Sequence, residues 1–188
     1  MGISGRGENM IGYSVALPRL RVERVGLVIV FAVLTGLASR VVLYLPGNPV
    51  PMTLQVLAVL LSGLVLGWPG GALSQVAYLG AVLAGLPLDA RMLGPAAMLG
   101  PTGGYLIGFV LAAAVAGWLS DRAAGCHLLL LLAALAGLLA LYGCGAAGLA
   151  AWAGLGLERA WALGVKPFLG VDAAKVLAAV AIARTLRR

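Results

Sequence analysis

The chain has 188 residues, of which 62% are hydrophobic and only 10% charged. Soluble domains carry about 25% charged residues, so a water-soluble globular domain is excluded. The net charge of +7 does not mark a nucleic-acid binder, because the basic residues are scattered at the ends of apolar segments and form no stripe with interleaved aromatics.

Residues 1–24 hold Arg6, Arg19, Arg21 and Arg24 but no apolar core followed by a cleavage site, so they read as a cytoplasmic tail rather than a signal peptide. Residues 25–188 then read as one membrane domain. A hydrocarbon core about 30 Å thick takes roughly 20 apolar residues per helix, and lipid forces each segment to pair its own backbone groups, which favours helices. A first apolar segment runs over 25–45 and stops at "LPGNPVP", a turn signal. A second covers 53–66, with Thr53 as N-cap. "GWPGG" at 67–71 is a hard stop and a very short connection, which makes the second helix and the third, 72–85, antiparallel neighbours. The long loop "LPLDARMLGPAAMLGPTGG" leads to a fourth segment over 105–119, and "SDRAAGCH" to a fifth over 128–153. The last starts with Pro167 near its first position and ends at Arg184. The expectation is an all-α, polytopic membrane protein of six transmembrane helices in a single bundle.

With an even number of spans both termini share one side. Arg6, Arg19, Arg21, Arg24, Arg122, Arg184, Arg187 and Arg188 fall there, against Arg91, Arg159 and Lys166 in the opposite loops. The positive-inside rule places the termini in the cytoplasm of a multi-pass cell-membrane protein.

This topology gathers the polar side chains. Gln55 falls in the outer first turn of the second helix. Tyr78 falls in the outer half of the third, with Gln75 one turn deeper on the same face. Tyr105 opens the fourth helix, Arg91 sits in the long outer loop, and Asp172 and Lys175 lie three apart near the outer end of the sixth. The inner half offers little beyond Thr35, Ser62 and Ser74. The pattern describes a pocket open to the outside rather than a pore. Duller readings stand beside this one. Asp172 and Lys175 serve equally as a structural ion pair, the two glutamines as interhelical glue, the tyrosines as an interfacial belt. Arg40 reads as a snorkelling side chain. Gly103 and Gly104 in "GPTGGYLIGF" allow close backbone approach, and a Gly-rich helix start can present N–H groups to a carboxylate or carbonyl oxygen; a tight connector is the equal alternative. Cys126 and Cys144 lack metal-ligand spacing, and His127 has no partner nearby, so no metal or cofactor is expected. A single His and no HExxH-like set argue against an enzyme. No paired broken helices point to a stand-alone secondary transporter.

The segments "NPVPMTLQVLAVLLSGLVLGWPGGALSQVAYLGAVLAGLP", "GPTGGYLIGF" and "KPFLGVDAAK" resemble the biotin-specific S component, the BioY family, of energy-coupling factor transporters, over residues 32–175. The resemblance implies a six-helix S-component bundle that binds biotin from outside. It also implies work with a transmembrane coupling protein and two cytoplasmic ATPase subunits, with no ATP hydrolysis by this chain itself. S components for other vitamins are the nearest alternative. Biotin's ureido ring needs acceptors for two N–H groups and a donor for its carbonyl, its bicycle wants apolar walls, and its valerate wants a cation or N–H groups. Under the resemblance Asp172 accepts a ureido N–H, Lys175 and Arg91 are the candidate cations for the carboxylate or the ureido oxygen with neither assigned to one of them, Tyr78 and Tyr105 wall the ring, and Gln55 or Gln75 completes the hydrogen bonds, with Gly103 of the Gly-rich turn a further binding candidate. Small residues on the first helix dock the coupling protein in this family, and Ala32 and Gly36 have that spacing, with Arg40 continuing the stripe. Membrane lipid surrounds the rest.

Overall fold

A computed structural model describes residues 22–123 and 126–187; most of the expected tail, with Arg6, Arg19 and Arg21, and the terminal Arg188 lie outside the described residues. The first helix, α1 (Val22–Ala38), ends well before residue 45. The Ser39 hydroxyl and N–H both donate to the Gly36 carbonyl and close its last turn. The chain then makes an antiparallel hairpin, β1 (Val42–Leu43) with β2 (Met52–Thr53), in the register Val42 to Thr53 and Leu43 to Met52. The apolar run "VVLYL" therefore continues as a strand and turn, not as helix. Thr53 lies at the start of the second helix, one residue before the capping position at Leu54, and its Oγ1 accepts the Gln55 N–H at 3.3 Å.

That helix, α2 (Gln55–Leu83), folds back on itself at Gly67, whose φ of 74° and ψ of −178° belong to a region open essentially to glycine. A straight helix would hold Ser62 and Gln75 about 20 Å apart and Gln55 and Tyr78 about 35 Å apart, at about 1.5 Å per residue. Instead Gln75 donates to Ser62 at 3.1 Å and Gln55 to Tyr78 at 2.8 Å. The arms 55–66 and 68–83 are thus antiparallel neighbours, as the short connection requires. No side chain fits at the bend. A Cβ on Gly67 would lie 2.6 Å from the Asp121 carboxylate, and one on Gly71 would lie 2.7 Å from the Gly63 Cα.

After a 3₁₀ segment (Gly94–Leu99) come α3 (Gly103–Ser120), α4 (His127–Ala153), the short α5 (Leu157–Gly164) and α6 (Leu169–Leu186). Counting both arms of α2, six spans form an all-α membrane bundle, with α5 inserted before the last. Among the described residues α2, α3 and α4 are long and apolar enough to cross a membrane by length and composition. α1 is shorter at 17 residues, and α6 carries Asp172, Lys175 and Arg184. The outward side of α1 exposes Leu27, Ile29, Val30, Val33 and Leu37, an apolar surface suited to lipid.

Glycine lets the central helices touch backbone to backbone. A Cβ on Gly63 would sit 2.4 Å from the Ala113 carbonyl oxygen of α3, and one on Gly104 would sit 2.8 Å from the Gly148 Cα of α4. With no hydrophobic drive between helices in lipid, such contacts supply the dispersion energy that holds them.

The hydrogen bonds divide the bundle into two ends. At one, Asn48 Nδ2 donates to the Leu163 carbonyl at 2.8 Å, the Tyr44 hydroxyl to the Ala90 carbonyl at 2.9 Å, and the Tyr105 hydroxyl to the Gly164 carbonyl at 2.6 Å. The hairpin, the 84–102 loop and α5 are thereby joined. At the other, the Trp68 N–H donates to Asp121 at 3.3 Å, Arg187 to the Ser120 carbonyl at 3.2 Å, and Arg184 lies 3.1 Å from the His127 ring.

Candidate functional site

The end tied together by the hairpin, the long loop and α5 holds a cavity of about 630 Å³, including its open mouth. Leu106, Phe109, Leu141 and Phe168 give it apolar walls, and Gln55, Asp89, Arg91, Tyr105, Tyr142, Asp172 and Lys175 supply polar groups.

The chemical centre is on α6. Asp172 and Lys175 stand three residues apart, face the same way, and are 2% and 7% exposed. Lys175 Nζ donates to Asp172 Oδ1 at 2.6 Å and to the Thr53 carbonyl of β2 at 2.6 Å. The Tyr142 hydroxyl of α4 donates to Asp172 Oδ2 at 2.8 Å. An ammonium has three protons, so Lys175 keeps one N–H, and each Asp172 oxygen keeps a lone pair. Removing two charges from water costs several kcal/mol per ion, and a buried pair returns little net stability. The pair and its phenol are better accounted for by the open cavity beside them than by a need for a helix pin.

Gln55 lines the cavity at the start of α2, and Tyr78 stands behind it. The fully buried Tyr78 hydroxyl accepts from Gln55 Nε2 at 2.8 Å and donates to the Leu88 carbonyl at 3.3 Å. Its ring packs against Phe109 with centroids 6.1 Å apart. Tyr78 is therefore one layer back from the cavity, not its wall. Tyr105 does wall it. A Cβ on Gly145 would lie 2.2 Å from the Tyr105 ring, so α4 presents a bare backbone where that ring lies.

The 84–102 loop brings in Arg91 at the mouth, exposed, with its guanidinium donating to the Pro49 carbonyl of the hairpin. The loop backbone is held from inside by Asp89, a buried carboxylate that accepts the Arg91 N–H at 3.0 Å and the Gly94 N–H at 2.8 Å.

Four expected residues lie elsewhere. Gln75 is fully buried between α1 and the two arms of α2, where its Nε2 lies within 3.3 Å of the Thr35, Ser62 and Ser74 hydroxyls. One turn of helix separates it from Tyr78, and that turn takes it from the layer behind Gln55 into the seam with α1. Gly103 packs on the 3₁₀ segment, where a Cβ would meet the Met98 carbonyl oxygen at 2.1 Å, and its N–H donates to Gly100. That N–H is spent, and Gly103 acts as the tight connector. Ala32 is half-buried against the core, and Gly36 is buried, with the Leu88 side chain 3.2 Å from where its Cβ would be. Gly36 thus seats Leu88 of this chain's own 84–102 loop.

Sequence reasoning missed Tyr142 and Asp89. Tyr142 is the lone phenol in the 27 residues of α4, and a hydroxyl inside so apolar a span signals a buried partner. Asp89 stood in plain view beside Arg91. Among the described residues no cluster of His, Cys, Asp or Glu could hold a metal ion.

Comparison with known proteins gives this cavity a context. The model of the BioY family matches residues 13–188. A probable biotin transporter BioY from Pyrococcus horikoshii is 40% identical over 171 residues, spanning 89% of this chain and 98% of its own length. A biotin transporter BioY from Thermotoga maritima is 38% identical over 145 residues, 77% of this chain and 85% of that one. A crystal structure of the S-component for biotin from an ECF-type ABC transporter superposes with a TM-score of 0.81 at 25% identity, covering 88% of this chain and 91% of that one. Agreement in sequence along nearly the full length, and in the course of the spans, makes this chain a member of the BioY family.

Proposed function

We propose that the cavity binds biotin and that the chain is the membrane-embedded capture subunit of an energy-coupling factor uptake system. The observation that carries the reading is the Tyr142–Asp172–Lys175 cluster, fixed in place yet short of partners, opening into an apolar space. Asp172 accepts a ureido N–H, the remaining Lys175 proton meets the ureido oxygen, and Phe109 and Tyr105 flank the bicycle. The valerate then points to the mouth, where Arg91 waits. A site built to hydrogen-bond a ligand rejects analogues that lack the matching groups by large factors.

Equilibrium binding of radiolabelled biotin by the purified chain, in competition with riboflavin and thiamine, tests this. Biotin alone should compete. A folded chain that prefers another vitamin, or binds none, overturns the assignment.

The chain's partners are a transmembrane coupling protein and two cytoplasmic ATPases, a reading supported by the likeness to the S-component for biotin from an ECF-type ABC transporter. Co-purification of all three with this chain, and biotin uptake that depends on them, is the expected result. The cavity faces outward across the cell membrane. Since α1 ends at Ala38, Arg40 joins Arg91, Arg159 and Lys166 at the cavity end, against Arg24, Arg122, Arg184 and Arg187 at the other among the described residues. Cys126 is exposed at the opposite end. An impermeant maleimide should therefore label Cys126 in lysed cells and not in intact ones.

A further inference from the structure

The cavity mouth holds a group that the binding chemistry above leaves unused. Asp89 lines the cavity, is 4% exposed, and forms no salt bridge among the described residues, where the Asp172–Lys175 pair is the one found. A buried carboxylate beside a site for an anionic ligand is electrostatically adverse. Both of its oxygens are instead committed to backbone, one to the Arg91 N–H and one to the Gly94 N–H.

Those two bonds brace a segment whose own backbone bond, from the Met92 N–H to the Asp89 carbonyl at 3.1 Å, closes only its first turn. Met92 has φ 57° and Gly94 φ 58°, so two residues within three lie in the left-handed region, which is uncommon for a side chain such as methionine. The neighbouring carbonyls are tied to separate elements: Leu88 receives the Tyr78 hydroxyl of α2, and Ala90 receives the Tyr44 hydroxyl beside β1. Arg91 comes next, its backbone held by Asp89 and its guanidinium on Pro49 of the hairpin. Cut the Asp89 side-chain bonds, and the turn keeps only the Met92 N–H to Asp89 carbonyl bond, while the Arg91 and Gly94 N–H groups lose their acceptors and Arg91 its fixed origin. We infer that Asp89 is a positioning residue for the ligand's carboxylate: it holds the 89–94 turn so that Arg91 stands at the mouth, where the acidic tail of the bound molecule competes with the Pro49 carbonyl for its guanidinium.

The inference rests on the proposed biotin site, and its sign separates it from simple electrostatics. If Asp89 acted only through its charge, neutralising it would tighten binding of an anion. If it acts by holding Arg91, neutralising it loosens binding. Biotin and its neutral methyl ester, each titrated against the unmodified full-length chain, Asp89→Asn, Asp89→Ala, Arg91→Ala and the Asp89→Ala/Arg91→Ala pair, read both. Asp89→Ala should weaken biotin at least tenfold and the ester less than twofold, with Asp89→Asn between the unmodified chain and Asp89→Ala because it keeps one acceptor. In the Arg91→Ala background Asp89→Ala should add less than twofold. Tighter or unchanged biotin binding by Asp89→Ala overturns the role. So does equal weakening of acid and ester, which marks a merely structural turn, and so does full additivity with Arg91→Ala. Failure of the unmodified chain to bind either compound overturns the reading of the cavity itself, and the Asp89 role falls with it.

Discussion

Replacing Asp172 with Asn keeps the volume and planarity of the side chain and removes one charge. Lys175 still needs an acceptor, so the amide oxygen turns toward its Nζ. The amide NH₂ then faces the Tyr142 hydroxyl, which must rotate from donor to acceptor. Lys175 is left 7% exposed with no counter-charge, and the oxygen now facing it was the carboxylate acceptor at 2.6 Å. Truncating one partner of a desolvated charged hydrogen bond costs about 2–5 kcal/mol. At about 1.4 kcal/mol per decade this weakens biotin binding by about 30-fold to about 4,000-fold. Isothermal titration of the purified variant in detergent gives the dissociation constant, and a thermal melt shows whether the bundle survives. Lys175→Ala should lose at least tenfold as well, and should melt lower, because a lone buried carboxylate remains. The pair Asp172→Asn/Lys175→Met separates the two roles. Removing both charges relieves the lone-ion penalty and should restore the melting temperature toward that of the unmodified chain, while binding stays lost. Unchanged affinity in folded Asp172→Asn and Lys175→Ala refutes the site, and so does recovery of binding along with stability in the double variant.

Three further outcomes are expected from the geometry. Tyr78→Phe removes the hydroxyl behind Gln55, a hydrogen bond of about 0.5–1.5 kcal/mol, so biotin binding should weaken roughly two- to tenfold and by less than in Gln55→Ala; binding assays on both variants check the order. Gln75→Met should leave the biotin dissociation constant within twofold of the original, because Gln75 faces the α1–α2 seam and its three hydroxyl neighbours already donate to the Phe31, Val59 and Gly71 carbonyls; a large loss would return Gln75 to the site. Gly145→Val drives a side chain into the Tyr105 ring and breaks its bond to the Gly164 carbonyl, so the variant should lose about 1–3 kcal/mol of stability from overpacking and bind biotin at least tenfold more weakly, measured by melting and titration on the same preparation.

The six spans were legible because length and hydrophobicity are one-dimensional properties and lipid punishes exceptions. The ends of the bundle were legible too, since alternating spans place Gln55, Arg91, Tyr105, Asp172 and Lys175 at one end without any knowledge of packing, and all five line the cavity. What failed was rotation about the helix axis. Tyr78 and Gln75 share a face by the three-residue rule, yet a face of the second α2 arm is wide enough to meet the Gln55 layer with one residue and α1 with the other. The Ala32–Gly36 spacing signals close approach and nothing in it says by what; at Gly36 the neighbour is Leu88, far along the chain. The hairpin at 42–53 hid because β-branched and leucine residues continue the hydropathy of α1 without a break. Tyr142 hid because its partner, Asp172, is thirty residues away and on another helix.

The reversal at Gly67 is made without a loop. A single residue turns the chain, the Asp121 carboxylate fills the inside of the corner, and Gly63 and Gly71 press together just above it. The two α2 arms are accordingly welded at their base like the tines of a fork. Whatever rearrangement frees a cargo from the opposite end must carry both tines together, or flex them only at their tips, beside Gln55 and Leu83. A spacer of a few flexible residues spliced in at this corner would cut that weld, and transport would report whether the fork has to stay rigid.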